Sequence, residues 1–327
     1  MAATNLMVNP KTDLPNKKDY QANSWFAIGH FEENGEILNW LYHIITTKMG
    51  PLLVVDSNFS VYNETSGEYH FEDKVYKPFE CKFTEEDTPV GKGFSVLTPM
   101  GKIYGNPEEI HVEAKMKYGE VVCNMKRTRD YIYNAGTGSF NTFLGGRVQQ
   151  FSFAHMASDG HLRIGEKTYT ISGDSWFDRQ WQFSKEEQKK MNMHSEWKWV
   201  WMDLNLSNGD TISLWDMHDL KGGSIDTWGT ILHEDDTQEV VKIEPIGQEE
   251  GDYWTSPVSK NRYPTSFVVR IPSKNAVLKV TTDVKDQEIV CKMPLFTKYE
   301  SGSKVEGIYE GKDVTGYTYV ELLGKWE

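Results

Sequence analysis

Residues 197–218 read WKWVWMDLNLSNGDTISLWDMH, and this stretch decides the fold class of the chain. Asn208-Gly209 separates two apolar runs with the composition of strands, which is the strongest short-range signal for a β-hairpin. A type I′ turn needs positive φ at both central residues, and Asn and Gly accept that conformation. A two-residue loop then predicts three facing pairs: Asp203 with Leu214, Trp201 with Asp216, and Trp199 with His218.

On either side of this hairpin the chain continues as short alternating runs that end at Gly, Asn, Asp or Pro. Such runs, with almost no sustained 3.6-residue periodicity, are typical of antiparallel β structure. The best helical candidate is the segment 184–193, where Ser184 and Glu187 have the spacing of a capping box. A chain of 327 residues suits two cores. The sequence therefore predicts an all-β fold of two calycin-like antiparallel β-barrel domains, residues 1–185 and 186–327, with a short helical or irregular junction.

Composition and charge exclude several function classes. The formal net charge of -13 repels a phosphate backbone, so nucleic acid is not expected as a partner. The three cysteines, Cys81, Cys123 and Cys291, have no paired spacing, so neither disulfides nor a metal site are expected. Neither a signal peptide nor an apolar run long enough to span a membrane is visible. These observations predict a cytoplasmic protein that is not an integral membrane protein.

The hairpin also contains the best candidate site. Side chains alternate between the two sides of a strand, so the predicted register gathers indoles, carboxylates and an imidazole on one side. A carboxyl group beside indoles loses hydration, which raises its pKa and lets it act as a general acid near neutral pH. Protonation of an alkene creates carbocation character, which indole faces stabilise. The residues on this side are Trp197, Trp199, Trp201, Asp203, Leu214, Asp216 and His218.

A second interpretation of the same hairpin is structural. The acids can face solvent at the rim of the hairpin while the tryptophans fill a core. A three-residue loop would shift the register by one residue and separate the acids from the indoles. Both interpretations stay open at the level of sequence.

The stretch 173–181, Gly-Asp-Ser-Trp-Phe-Asp-Arg-Gln-Trp, is the other concentration of aromatic and charged residues. Asp178 could act as an acid or base and Arg179 as an anion clamp, with Trp176 and Trp181 shaping a pocket. The alternative is a partly buried Asp178–Arg179 ion pair that locks the two domains. From the residues alone, the structural role is slightly favoured. Nothing in the sequence has the pattern of a serine-hydrolase triad.

Taken in order, these motifs resemble the lipocalin-like superfamily of carotenoid 1,2-hydratases, kievitone hydratase, fungal Diels–Alderases and AttH-like proteins labelled hydrolases. The resemblance covers most of the chain. Its anchors are the segments 25–30 and 160–181, the Trp-rich hairpin, Tyr263-Pro264, Tyr299-Glu300 and 316–324. It implies two calycin-like domains, an apolar small-molecule substrate and no metal or nucleotide cofactor.

Family roles transfer unevenly to this chain. The Asp of the Asp-Arg-Gln-Trp element maps to Asp178, and the downstream acid of the carotenoid hydratases maps to Asp203, Asp210 or Asp216. The predicted register favours Asp203 or Asp216, because Asp210 lies at the turn. Arg179 stands where the carotenoid hydratases have His, which argues against strict carotenoid hydration.

The leading hypothesis is a cofactor-independent hydratase, isomerase or cyclase acting on an apolar unsaturated small molecule, such as a terpenoid, polyketide or prenylated aromatic. Asp203 or Asp216 would protonate or position the alkene, and His218 would assist proton transfer. Trp176, Trp181, Trp199 and Trp201 would shape the pocket. The rival hypothesis is a non-catalytic carrier of a hydrophobic ligand. A hydrolase is the third possibility.

Overall fold

Antiparallel strands make up most of the described chain, as the sequence predicts. The computed structural model describes residues 7–142, 145–189, 196–246 and 251–326. Its α-helices are single turns, α1 (Pro10–Asp13) and α2 (Lys185–Gln188). None of the helices in these four ranges is long and apolar enough to cross a membrane.

The described residues form two compact units, each built on its own sheet. The first comprises 7–133, 137–141 and 145–189, and the second comprises 134–136, 142, 196–246 and 251–326. Each unit encloses a separate hydrophobic cluster. Trp25, Trp40 and Phe177 are typical of the first cluster, and Tyr263 and Phe267 of the second.

The first unit has a 13-stranded antiparallel sheet with the strand order β4-β3-β2-β1-β13-β12-β9-β8-β7-β6-β5, and β10 and β11 pair with β12. Its strands are β1 (Tyr20–Glu33), β2 (Glu36–Met49), β3 (Leu52–Asn63), β4 (Glu68–Tyr76), β5 (Lys82–Thr88), β6 (Gly91–Leu97), β7 (Gly101–Asn106), β8 (Glu109–Met116), β9 (Gly119–Arg127), β10 (Tyr131–Tyr133), β11 (Ser139–Asn141), β12 (Arg147–Ile164) and β13 (Lys167–Ser184). Short 3₁₀ turns cover Pro78–Glu80 in this unit and Asn134–Gly136, Pro272–Lys274 and Pro294–Phe296 in the other.

The second unit has a 10-stranded antiparallel sheet with the order β17-β16-β15-β14-β23-β22-β20-β19-β18, and β21 pairs with β22. Its strands are β14 (Trp197–Leu206), β15 (Thr211–Asp219), β16 (Ile225–Leu232), β17 (Gln238–Lys242), β18 (Gly251–Thr255), β19 (Arg262–Ile271), β20 (Ala276–Thr281), β21 (Glu288–Ile289), β22 (Lys298–Tyr309) and β23 (Lys312–Gly324). The predicted class, all-β with antiparallel sheets that enclose two cores, is confirmed.

The junction begins with the predicted capping box. The backbone N–H and the hydroxyl of Ser184 donate to Glu187 Oε2 at 2.8 and 2.7 Å. The helix that follows spans only Lys185–Gln188. Residues 190–193 of the predicted helix lie outside the described residues.

The Trp-rich hairpin forms from β14 and β15, but its predicted register is wrong by one residue. Its loop has three residues instead of two, because Leu206 N–H donates to the Asp210 carbonyl at 3.0 Å. Gly209 has a φ of 89°, whereas Asn208 keeps a negative φ, which excludes a type I′ turn. Asn208 Oδ1 instead accepts the Asp210 N–H at 3.2 Å, a local side-chain bond that favours the longer loop. The observed facing pairs are Asp203 with Ser213, Trp201 with Trp215, and Trp199 with Met217.

Candidate active site

Indole rings cover one side of the sheet in the second unit. Trp197 and Trp199 stack at 4.7 Å between ring centroids. Trp199 meets Trp215 edge-on at 5.9 Å, and Trp215 stacks with Trp228 at 6.2 Å. Trp201 lies directly opposite Trp215 on the neighbouring strand. These five residues form a continuous aromatic surface, which we call the tryptophan face.

A group of ionisable side chains adjoins the tryptophan face. Glu321 on β23 lies directly opposite Trp201 on one side and Glu300 of β22 on the other. Lys298 Nζ lies 2.6 Å from Glu300 Oε1 and 3.4 Å from Glu321 Oε2. Trp199 Nε1 donates to Glu321 Oε1 at 3.0 Å. We call Lys298, Glu300 and Glu321 the acid group.

Burial sets the protonation of the acid group. Glu300 is fully buried, and burial raises its pKa well above the usual range; Lys298 opposes this increase and Glu321 adds to it. Burial disfavours the charge of Lys298 as well, but its contacts with Glu300 and Glu321 outweigh this effect and raise the pKa of Lys298. Burial therefore favours the neutral acid form of Glu300, next to Lys298 and a second carboxyl group.

Asp203 lies on the tryptophan side, as predicted, and is held by neighbours on two strands. Its Oδ1 accepts the backbone N–H of Tyr319 and lies 3.4 Å from the hydroxyl of Thr318. Its Oδ2 accepts from Asn205 Nδ2 at 3.2 Å. These bonds orient the carboxylate toward β23 and tie that strand to β14. The predicted catalytic role of Asp203 stays a prediction.

Asp216 and His218 do not share a side with the indoles, so the predicted grouping is wrong. The one-residue shift places them on the opposite side, where Asp216 faces Val200. The two still form a pair, because His218 Nε2 lies 2.6 Å from Asp216 Oδ1, and the backbone N–H of Ile246 donates to Asp216 Oδ2 at 2.8 Å. The hypothesis that they act at the tryptophan face cannot hold with this register.

Asp178 and Arg179 point to opposite sides of β13, so the expected ion pair between them does not form. Asp178 accepts from Trp176 Nε1 at 2.8 Å and from Gln150 Nε2 at 3.0 Å. These three side chains lie on the paired strands β12 and β13 of the first unit. The predicted acid or base role of Asp178 and binding role of Trp176 remain predictions.

Arg179 lies inside the first unit and is fully buried. Its guanidinium donates to the carbonyl oxygens of Leu14 and Pro15 at 2.8 and 2.7 Å, and to Asn23 Oδ1 at 2.8 Å. It also lies over the rings of Trp25 and Trp181, 4.4 and 5.1 Å from their centroids. Burial lowers the pKa of Arg179 to about 9, which leaves the group charged at neutral pH. Arg179 and Trp181 therefore anchor the N-terminal segment, and the predicted anion-clamp role stays a prediction.

The acid group was missed at the sequence level, although a signal for it exists. Lys298 and Glu300 are two residues apart in a strand, so they share one side, and both are buried. Buried charged residues at this spacing predict a paired site. The partner, Glu321, lies in the apolar run Tyr-Val-Glu-Leu-Leu of β23. Only strand pairing could show that it faces Glu300.

The fold and this site define a class: an antiparallel β protein of two compact units with a buried acid group beside an indole surface. The chain belongs to the AttH-like family, whose model matches residues 59–325. The family resemblance predicted from the motifs is confirmed. No curated protein sequence matches the chain.

Solved structures support the same assignment of fold. Kievitone hydratase from Nectria haematococca superposes with a TM-score of 0.78 at 20% identity, covering 99% of this chain and 94% of that one. An AttH structure from Nitrosomonas europaea gives a TM-score of 0.78 at 14% identity, with coverages of 99% and 98%. CghA gives 0.62 at 9% identity, with coverages of 94% and 89%. At these identities the likeness concerns the fold.

Proposed function

We propose that this protein is a cofactor-independent hydratase, isomerase or cyclase that transfers a proton to or from an apolar unsaturated small molecule at the tryptophan face. The observation that carries the proposal is Glu300, a buried acid of raised pKa bound to Lys298 beside a wall of indoles. A carboxyl group whose pKa is raised by burial is suited to general acid catalysis. The substrate class follows from the indole surface, which favours apolar and electron-deficient carbon frameworks.

Access to the acid group lies through Trp199 and Glu321. Trp197 and Trp199 are partly exposed, and the side chain of Glu321 is 13% exposed, whereas Glu300 is fully buried. A ligand on Trp199 would meet Glu321 first, since the indole nitrogen already holds that carboxylate. Glu321 would pass the proton to or from carbon, and the acid form of Glu300 behind it would replace the proton.

The same surface would stabilise the reacting carbon. Protonation of a carbon–carbon double bond leaves positive charge on carbon, and indole faces attract such charge by about 0.5–2 kcal/mol per contact. Water then adds to that carbon in a hydratase, or a neighbouring proton leaves in an isomerase. Lys298 holds the two carboxyl groups in position. Because its ammonium is paired with both, it repels the positive charge on the substrate carbon less than an unpaired ammonium would.

Two comparisons support a reaction of this class. The family is AttH-like, and one structural relative with the same fold is named as a hydratase. Kievitone hydratase is thus a reasonable source of the first test compound. The reaction and substrate of that enzyme are carried over to this chain only as part of this proposal.

The test begins with the ligand from the protein's own host. Native mass spectrometry of the purified protein identifies a co-purified compound, and the compound and kievitone are then incubated with the protein in D2O. We expect deuterium at carbon, or the gain of water, with the wild-type protein. Glu300→Gln removes the transferable proton and keeps the shape, so turnover should fall by about 100-fold or more.

Matched variants decide which acid acts. Glu306→Gln changes an exposed carboxylate on the same side of β22 and should leave turnover unchanged. If Asp203→Asn abolishes turnover while Glu300→Gln keeps it, the acid is Asp203 and our assignment is wrong. Recovery of a bound ligand that never exchanges deuterium or changes mass would favour the carrier.

A further inference from the structure

A serine and a histidine lie in contact on the first unit, and neither belongs to the tryptophan face or the acid group. Ser24 Oγ, on β1, is 2.7 Å from His43 Nε2, on β2. Both side chains are on the side of the sheet opposite to the core residues Trp25 and Tyr42. Ser24 is partly exposed, whereas His43 is 7% exposed. Ser24 is therefore the more accessible residue of the two.

The imidazole is held in place by its surroundings. Phe26 packs edge-on against the His43 ring at 5.0 Å between centroids. Asn58 lies directly opposite His43 on β3, and its Nδ2 donates to Asp73 Oδ1 at 2.6 Å. A row of polar side chains thus runs from the serine hydroxyl through the imidazole toward a buried carboxyl group. A serine hydroxyl next to an oriented imidazole is the arrangement that activates the hydroxyl as a nucleophile.

A donor for a developing oxyanion lies beside the serine. Gln180 on β13 is directly opposite Ser24 and shares its side of the sheet, so their Cβ atoms are about 5 Å apart. The amide nitrogen of Gln180 donates to Gln182 Oε1 at 3.1 Å. An amide nitrogen carries two hydrogens, so one remains for a ligand oxygen. Ile45, opposite Ser24 on the other neighbouring strand, is partly exposed and offers an apolar contact for an acyl chain.

We propose that Ser24 is a nucleophile activated by His43 and that this surface transfers the acyl group of small carboxylic esters to water. The Ser24 oxygen bonds to the ester carbonyl carbon as His43 Nε2 takes the hydroxyl proton. The carbon–oxygen bond to the alcohol then breaks, and the leaving alkoxide takes that proton from His43. Gln180 donates a hydrogen bond to the oxyanion.

Water completes the reaction. Its oxygen bonds to the acyl carbon while His43 accepts a proton, and the bond to Ser24 Oγ breaks as the serine regains that proton. A free acid and the original side chains result, with no other reactant. This activity is separate from the proposed proton transfer at the tryptophan face, since it uses no residue of that face.

The test uses an electrophile that reports on the serine directly. The full chain is treated with a fluorophosphonate probe, and the labelled peptide is identified by mass spectrometry. We expect the label on Ser24, and we expect Ser24→Ala to abolish it. His43→Gln can still hydrogen-bond the serine but cannot take its proton, so labelling should slow by about 100-fold or more. Ser95→Ala, at a partly exposed strand serine of the same unit, should leave labelling unchanged.

Turnover of p-nitrophenyl butyrate checks the remaining roles. Gln180→Ala should lower kcat on the order of 100-fold with little change in KM, as expected for an oxyanion donor. Glu306→Gln, at an exposed position that belongs to neither site, should retain full labelling and esterase rate. Circular dichroism confirms that each variant folds. Absence of label on wild-type Ser24, or labelling that His43→Gln leaves unchanged, overturns the proposal.

Discussion

Strand β13 of the first unit and the tryptophan face of the second both combine tryptophan with buried charge, but they satisfy that charge differently. The guanidinium of Arg179 is bound by carbonyl oxygens and an amide, groups that do not titrate. In the acid group the partners are themselves ionisable, since Lys298 contacts both Glu300 and Glu321. A charge held by fixed neutral acceptors has no neighbour with which to exchange a proton, and it stabilises the fold. Ionisable groups held against each other can exchange a proton.

The largest effect predicted from this comparison is on stability, at Arg179. Arg179→Met removes the cation and leaves the carbonyl oxygens of Leu14 and Pro15 without their donor. We expect a loss of about 3–5 kcal/mol in the free energy of unfolding, measured by urea denaturation. Arg163→Met is the control, because that guanidinium also binds carbonyl oxygens but is partly exposed. An equal or larger loss for Arg163→Met would contradict the role given to Arg179.

The next effect concerns pH and tests the acid group. The pKa of Glu300 is raised in the folded protein above its usual value of 4.5, so folding favours its protonated form. The contribution of Glu300 to the free energy of unfolding is complete below pH 4.5 and is lost as pH rises toward the raised pKa. In this window the unfolded state releases the proton while the folded state keeps it. Wild-type stability should fall relative to Glu300→Gln by up to about 1.4 kcal/mol per pH unit.

This difference is read from urea denaturation of the two proteins between pH 5 and pH 8. Glu306→Gln, at an exposed position of β22, provides the control and should track the wild type at every pH. A constant difference between wild type and Glu300→Gln across this range would mean that Glu300 is ionised in the folded protein. The contrast between the two regions would then disappear.

The smallest effect is expected at Trp199. Trp199→Phe keeps an aromatic ring but loses the N–H bond to Glu321 Oε1. We expect a stability loss of about 1–2 kcal/mol and a lower turnover at the tryptophan face. Trp254→Phe is the control, since Trp254 packs against the core cluster of the same unit and contacts Tyr263. If both variants lose the same turnover, the indole nitrogen of Trp199 has no special part in the reaction.

Local patterns predicted the fold class well. Alternation of apolar residues predicts strands because side chains of a strand point to opposite sides, and β8 shows this alternation along its whole length. The Ser184–Glu187 capping box formed because it needs only residues within one turn. The hairpin formed where Asn208-Gly209 predicted it, and Trp197, Trp199 and Trp201 share a side since they are spaced by two. In each case the determining contacts are close in sequence.

The candidate site could be predicted only in part. Asp203 lies on the tryptophan side because it is two residues from Trp201 in the same strand. Asp216 and His218 lie on the partner strand, so the side they occupy depends on the length of the loop. A hydrogen bond from the Asp210 N–H to Asn208 Oδ1 accompanies the three-residue loop, and one added residue reverses every side chain of the partner strand. The ion pair expected between Asp178 and Arg179 fails for a related reason. Adjacent residues of a strand point to opposite sides.

By itself the sequence determined an antiparallel β protein of the AttH-like family, with indoles gathered on one side of β14. These properties follow from the period of strands and from motifs whose residues are close together in the chain. Only the tertiary structure decided which charges accompany those indoles. Glu300 and Glu321 come from strands far downstream of Trp199; strand pairing brings Glu321 beside the indoles and Glu300 beside Glu321. The raised pKa of Glu300 arises from burial, which no local pattern specifies.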